Sequence, residues 1–92
     1  MIQSFKDGDT KELYETGSNR RRATVKAVAL RKLDQIEGSI KLSDLRIPPG
    51  NRLEPLKGDR IGQHSIRIND QFRICFVWKD DGAYEVEIAD YH

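Results

Sequence analysis

The hydrophobic period of this chain changes once, near residue 51, and that change limits the folds it can adopt. From Val25 to Ile36 the apolar residues recur at three- and four-residue steps, as in an amphipathic helix, and Gly38 follows as a stop. Beyond Asn51 they alternate with a period of two, as in half-buried strands. Helices grouped before a run of strands predict an α+β fold with the helices packed on one face of a sheet.

Turn and capping signals divide the first half into smaller elements. Residues 1–6 are apolar at two positions, which fits an edge strand. Asp9 or Thr10 is placed to cap a short helix that Gly17 would end. Residues 42–45 predict one further helical turn before the Pro-Pro-Gly sequence at 48–50.

The second half predicts strands joined by short loops. Pro55 suits an edge strand, residues 64–68 alternate, and residues 72–78 are apolar on much of both faces, as in a central strand. A hairpin signal at residues 80–82 leads into a last strand, in which Tyr84, Val86 and Ile88 alternate. We expect one two-layer domain over residues 1–92, with N-terminal helices on a mainly antiparallel sheet of about four to five strands. The other face of that sheet would be open to a ligand.

Composition excludes several classes of protein. No apolar run approaches the ~20 residues of a membrane helix, and residues 1–6 lack the pattern of a signal peptide, so we expect a cytoplasmic protein without a membrane partner. The single cysteine, Cys75, allows neither an internal disulfide nor a Cys-rich metal site, and it is expected to be a small buried residue. Because the sequence also lacks a Gly-rich phosphate loop and an HExxH motif, it predicts no metal and no cofactor.

The net charge of +1 hides an uneven distribution of charge. Residues 20–60 carry eleven basic and five acidic side chains, whereas the segments on either side are acidic. Such a basic field attracts phosphate or an acidic partner. When charge is the only observation, however, a solvated surface is the more common explanation. The residues that we expect to contact phosphate are Arg20, Arg21, Arg22, Lys26, Arg60 and Arg67.

The sequence ends on Asp90-Tyr91-His92, directly after the last predicted strand. Terminal residues are usually frayed, but strand pairing would hold Asp90 near the sheet and let His92 reach the open face. Histidine is the side chain whose ordinary pKa suits proton transfer near neutral pH. The tripeptide is therefore a candidate catalytic segment.

Two cations are further candidates. Lys57 precedes Gly58 in a turn-rich loop, where a lysine can approach a phosphate; the alternative is an ordinary exposed turn lysine. Arg73 lies opposite the apolar face of the central strand and needs an anionic partner. That partner is either a substrate phosphate or a carboxylate on the neighbouring strand, Glu85 or Glu87. We expect His64, on an apolar strand face, to be packed and hydrogen-bonded.

Taken together, these segments resemble the HigB toxins, also called plasmid maintenance killer proteins, of the RelE superfamily. The resemblance is carried by RLEPLKGDR at 52–60, GQHSIRIN at 62–69, FRICF at 72–76, the terminal DYH and the opening MIQSF. It implies a ribosome-dependent endoribonuclease that cuts translated mRNA. It also implies a HigA-type antitoxin with a helix-turn-helix domain, through which alone the pair would bind operator DNA.

The resemblance also implies which residues are catalytic. The matching positions are Lys57, Arg73, Asp90, Tyr91 and His92. Some family members carry histidine where this chain has Glu54, so that an acid–base role for Glu54 is in doubt and it is held only as an orienting carboxylate.

The expected reaction is a metal-independent attack of a ribose 2′-hydroxyl on the adjacent phosphate. Lys57 and Arg73 would stabilise the charge on the phosphate oxygens. His92 would act as acid or base, with Asp90 orienting it or acting opposite it, and Tyr91 would hydrogen-bond or stack on a base. The alternatives are a non-catalytic RNA-binding module and a module that binds an acidic antitoxin through residues 20–32.

Overall fold

The structure is a computed structural model that describes residues 1–91. These residues contain two α-helices and one antiparallel sheet. Short 3₁₀ turns lie at Arg20–Val25, Leu42–Arg46, Pro49–Asn51 and Gly58–Arg60. The main elements are α1 (Gly8–Thr16), α2 (Lys26–Gly38), β1 (Glu54–Pro55), β2 (His64–Arg67), β3 (Phe72–Lys79) and β4 (Gly82–Asp90). The strands pair in the order β1-β2-β3-β4, every neighbouring pair antiparallel. The predicted α+β architecture is confirmed.

The first helix is capped two to three residues earlier than predicted. The side chain of Asp7, not of Asp9 or Thr10, accepts a hydrogen bond from the Thr10 N–H at 3.2 Å. Thr10 is buried and uses its hydroxyl to accept from the Ile88 N–H at 3.0 Å, which ties α1 to the sheet. Gly17 ends the helix in the left-handed region (φ 81°), as predicted.

The second helix buries its apolar stripe against the sheet. Ala29, Leu33 and Ile36 are fully buried in the core, as their spacing predicted. Lys32 lies on the same side and is also buried, with its Nζ donating to the side-chain oxygen of Asn51. Within residues 1–91 no helix is long and apolar enough to cross a membrane.

The central position of β3, predicted from its apolar character, is confirmed. Ile74 lies opposite Ile66 of β2 and Ile88 of β4, and all three side chains are buried beneath the helices. Cys75 lies opposite Ser65 and Glu87 on the other face. Since side chains alternate along a strand, this register separates an apolar face from a polar one.

A β-bulge in β4 changes which residues share a face. Glu87 pairs with Cys75, but Tyr84 rather than Glu85 pairs with Val77, which leaves Glu85 as the extra residue, with a positive φ of 55°. Tyr84 therefore lies on the face opposite the core, so the prediction of simple alternation through the last strand is wrong there. Ala83 takes the buried position instead.

The N-terminal segment lies along the outer edge of β4. Ile2 and Phe5 form isolated parallel bridges with Ala83 and Val86, in place of the continuous edge strand that was predicted. The Ser4 hydroxyl accepts from the Glu85 N–H at 2.9 Å. The segment thus pairs with the bulged part of β4 and covers its edge.

Candidate active site

The sheet face away from the helices has a floor of small side chains. Ser65 and Cys75 are fully buried and Ala89 is 6% exposed. Because these side chains are short, longer polar groups from neighbouring strands and loops lie over them. The longer groups that surround the floor are Glu54, Arg60, Arg73, Glu87 and Tyr91.

Arg73 is held rigidly on this face by its neighbours. Its Nε donates to the Ser65 hydroxyl at 2.7 Å, and its Nη2 donates to the Arg52 carbonyl at 2.7 Å. Nη2 also lies 3.5 Å from a carboxylate oxygen of Glu54, and the side chain is only 13% exposed. Nη1 has no hydrogen-bond partner among residues 1–91 and is not one of the buried unpaired atoms there, so solvent reaches it. The guanidinium is therefore fixed through one edge and free at another.

The carboxylate beside Arg73 is Glu54, and the predicted alternatives Glu85 and Glu87 are wrong. Glu54 lies opposite Ser65 in the β1–β2 pairing, which places its side chain above the same floor. Glu85 occupies the bulge, and Glu87 binds two other cations. Register across three strands, not sequence proximity, decides this partner.

The end of β4 is tied down through Tyr91. The Tyr91 N–H donates to the Gln71 carbonyl at 2.7 Å, and the Gln71 side chain donates to Asp90 at 3.1 Å. The Tyr91 hydroxyl lies 3.4 Å from the sulfur of Cys75. The expected anchoring of this segment to the sheet holds as far as Tyr91, and His92 lies outside the described residues.

Partial burial raises the pKa values of two groups at this end. Burial, reinforced by the Cys75 contact, raises the pKa of Tyr91 to about 12. Burial also raises the pKa of the Cys75 thiol. At neutral pH the phenol therefore carries its proton and offers a hydrogen-bond donor rather than a base.

Lys57 stands at the start of the loop that follows Glu54 and Pro55. It precedes the turn Gly58–Arg60, in which Gly58 has a positive φ of 63°. Its side chain is exposed and forms no ion pair within the described chain, residues 1–91. Lys57 therefore lies in the loop that follows β1, the strand that contains Glu54.

The four cations predicted for docking in the segment after α1 are not equivalent. Arg20, Arg21 and Lys26 are exposed. Arg22 is partly buried, donates to the Ile88 carbonyl at 3.3 Å and lies over the Phe72 ring at 5.5 Å. Arg22 therefore has a structural role that its sequence position did not reveal.

The two remaining cations predicted to contact phosphate have carboxylate partners, as does Arg21, which lies 3.5 Å from Asp9. Arg67 lies opposite Arg73 in the register and pairs with Asp70. Arg60 pairs with Glu87 at 3.4 Å, and its guanidinium carbon lies 6.0 Å from the centre of the Tyr91 ring. Sequence reasoning did not name Ser65 as part of this face, and it named Glu87 only as an alternative partner of Arg73. Glu87 is two residues before Ala89 in the last strand, so alternation alone would have placed both side chains on the same face.

His64 lies on the helix-facing side, away from these groups. It is half-buried, and its Nδ1 is buried without a hydrogen-bond partner among residues 1–91, so the expected hydrogen bond is missing at that atom. Burial lowers the pKa of His64. Within residues 1–91, no cluster of three or more His, Cys, Asp or Glu side chains is arranged to bind a metal ion.

The chain is similar in sequence to one family of toxins and similar in fold to a solved structure. A family model described as the RelE-like toxin of the type II toxin–antitoxin system HigB matches residues 3–92. Toxin HigB-1 of Vibrio cholerae is 40% identical over 85 residues, which cover 90% of each chain. Endoribonuclease HigB of Proteus vulgaris is 33% identical over 98 residues, which cover the whole of both chains. A chain of the YoeB–YefM complex from Staphylococcus aureus aligns with a TM-score of 0.62 at 18% identity, covering 100% of this chain and 98% of that one, and shows the shared fold.

Proposed function

Because the chain belongs to the HigB family of RelE-like toxins of type II toxin–antitoxin systems, we propose that it cuts translated messenger RNA on the ribosome. It is the toxin of its pair, and endoribonuclease activity is the function that its relatives support. Its partner is an antitoxin, for which we propose a HigA-type protein whose helix-turn-helix domain carries the pair to operator DNA. The site of action is the cytoplasm, where ribosomes translate.

The observation that carries the proposal is the fixed guanidinium of Arg73. Ser65, Arg52 and Glu54 hold one side of it, while Nη1 stays reachable from solvent. A cation fixed before the substrate arrives needs no reorganisation when charge develops on the phosphate oxygens. Arg73 therefore stabilises the transition state, and Lys57, exposed and without an ion pair among residues 1–91, supplies a second cation.

The proposed reaction needs one proton removed and one supplied. The ribose 2′-hydroxyl loses its proton and its oxygen bonds to the phosphorus, while the bond to the 5′-oxygen breaks and that oxygen takes a proton. We assign one of these transfers to His92, which directly follows Tyr91, with Asp90 orienting it or acting opposite it. Tyr91, which keeps its proton at neutral pH, donates a hydrogen bond in the scissile region or stacks on a base. This route uses no metal and no cofactor.

Docking on the ribosome is assigned to the exposed cations of the basic segment. Arg20, Arg21 and Lys26 present their charges to solvent, and ribosomal RNA has the phosphate density to bind them. Arg60 and Arg67, both partly exposed, flank the sheet face as further candidate contacts, although each already pairs with a carboxylate. Arg22 contributes less, because its guanidinium is engaged with the sheet.

The test is inducible expression with and without the neighbouring antitoxin gene, followed by mapping of mRNA 5′ ends. We expect new ends in translated messages only, growth arrest without the antitoxin, and loss of both in Arg73→Ala. Arg46→Ala is the matched control, because Arg46 is exposed and without an ion pair among residues 1–91. Cleavage of purified mRNA at an equal rate without ribosomes would overturn ribosome dependence. Ribosome binding without any cleavage would favour the non-catalytic RNA-binding module.

A further inference from the structure

A carboxylate with two cationic partners lies next to the proposed active site, and the proposed mechanism does not use it. Glu87 faces the open side of β4, directly opposite Cys75. Its side chain is 15% exposed; it contacts Lys6 at 3.2 Å and Arg60 through both oxygens, at 3.4 and 3.5 Å. The two cations offset the cost of burying this carboxylate, and the carboxylate fixes their positions in return.

Arg60 connects this carboxylate to the end of β4. Gln63 accepts a third hydrogen bond from Arg60 at 3.1 Å, and the guanidinium carbon lies 6.0 Å from the centre of the Tyr91 ring. The Tyr91 hydroxyl reaches Cys75 at 3.4 Å, and Cys75 is the register partner of Glu87. The contacts therefore form a closed ring, in which Tyr91 is held at its face by Arg60 and at its hydroxyl by the sulfur.

We propose that Glu87 is a positioning residue for RNA cleavage, because it holds Arg60 against Tyr91 and so keeps Tyr91 in one orientation at the active site. This inference rests on the proposed function. Positioning of Tyr91 through Arg60 can be distinguished by measurement from direct binding of RNA by Arg60. If Arg60 acted only by binding RNA, removing the charge of Glu87 would free the cation and tighten RNA binding. If Glu87 positions Tyr91, the same change slows the chemical step instead.

The first experiment compares Glu87→Gln with Glu85→Gln in ribosome-dependent cleavage at saturating toxin. Glu85 is exposed and without an ion pair among residues 1–91, so it is the same chemical change two residues away. We expect the saturated rate of Glu87→Gln to fall about tenfold or more with KM changed less than about threefold, as for a misplaced catalytic group. Glu85→Gln should stay within about twofold of the unaltered protein. A lower KM with an unchanged rate in Glu87→Gln would overturn the proposal.

A second experiment tests whether Glu87 acts through Arg60. Arg60→Lys keeps a cation for Glu87 but lacks the planar group that lies over Tyr91. We expect it to slow cleavage by itself, and Glu87→Gln to add less than about twofold in its background, because groups that act as one unit are not additive. Two losses that multiply would overturn the proposal. If Glu87→Gln does not fold, the prediction that Arg60→Lys slows cleavage carries the test.

A spectroscopic readout separates this proposal from the proposed function. The chain has three tyrosines, so the ring signals of selectively labelled tyrosine are few, and Tyr91→Phe assigns the one that matters. Glu87→Gln should move the Tyr91 signal and leave the other two in place, whereas Glu85→Gln should move none by this route. An unmoved Tyr91 signal refutes the positioning role even in a protein that cleaves mRNA. A chain that shows the shift but cleaves no mRNA contradicts the proposed function instead.

Discussion

Replacing Arg73 with alanine should remove mRNA cleavage while leaving the protein folded. A preorganised donor aimed at developing charge is worth roughly 3 kcal/mol in the transition state, which is a loss of about 10²-fold in rate. Arg73→Lys should restore only part of this, because a point charge cannot donate to Ser65 and Arg52 while also presenting a free edge to phosphate.

The structure also sets the expected loss of stability. Glu54 is 53% exposed and is hydrated again when Arg73 is removed, but the Ser65 hydroxyl is fully buried and loses its donor. A buried polar group left unpaired costs about 1–3 kcal/mol. Even a domain with only about 5 kcal/mol of stability would then remain about 97% folded. Unfolding therefore accounts for a few per cent of the lost activity, far less than the expected catalytic effect.

Urea unfolding and ribosome-dependent cleavage measured at one temperature separate the two effects. Circular dichroism should show that Arg73→Ala keeps the secondary structure of the unaltered protein. The free energy of unfolding should fall by about 1–3 kcal/mol, the cost of leaving the Ser65 hydroxyl unpaired. Arg73→Ala that cleaves within about threefold of the unaltered rate would refute the phosphate-stabilising role, since a preorganised donor has a far larger effect. A loss of cleavage that is proportional to the unfolded fraction would also refute that role.

Three further predictions follow from other parts of the chain. Deleting His92 should abolish cleavage and growth arrest while changing the free energy of unfolding by less than about 1 kcal/mol, since every described core residue is kept; full toxicity at equal protein level would contradict its proton-transfer role. Replacing Arg20 and Arg21 with serine should weaken ribosome co-sedimentation and flatten its salt dependence, whereas Arg22→Ser should instead lower stability by about 1–2 kcal/mol through its lost hydrogen bond and ring contact. Co-sedimentation that is unchanged at every salt concentration would leave the antitoxin as the partner of these charges. Because burial lowers the pKa of His64 below its ordinary 6.5, the unfolded chain binds the proton first, and stability should fall as the pH drops below about 6.5. Urea titrations at several pH values should show a weaker fall in His64→Gln, and equal falls would argue against this source.

Much of the fold follows from periodicity, because side-chain spacing reports which face of an element is buried. The three-and-four spacing up to Ile36 identified the face of α2 that packs on the sheet, and the doubly apolar sequence at residues 72–78 identified the central strand. Alternation also placed Arg73 on the face away from the core before its neighbours were known. These conclusions need only local geometry, which the sequence carries.

The tertiary structure alone decided which polar groups meet. Glu54 rather than Glu85 or Glu87 lies beside Arg73, because the β1–β2–β3 register brings together residues that are distant in sequence. The bulge at Glu85 reversed the face of Tyr84, since one extra residue inverts the alternation beyond it.

Capping and burial of charge also depended on contacts between elements. Asp7 replaced Asp9 and Thr10 as the cap of α1, because the helix already begins at Gly8; the Thr10 hydroxyl instead accepts a hydrogen bond from the sheet. Arg22 was predicted to be a docking charge, but its guanidinium lies over the Phe72 ring and donates to the Ile88 carbonyl. A sequence records the charge of each residue, whereas its surroundings are set by the other elements that pack against it.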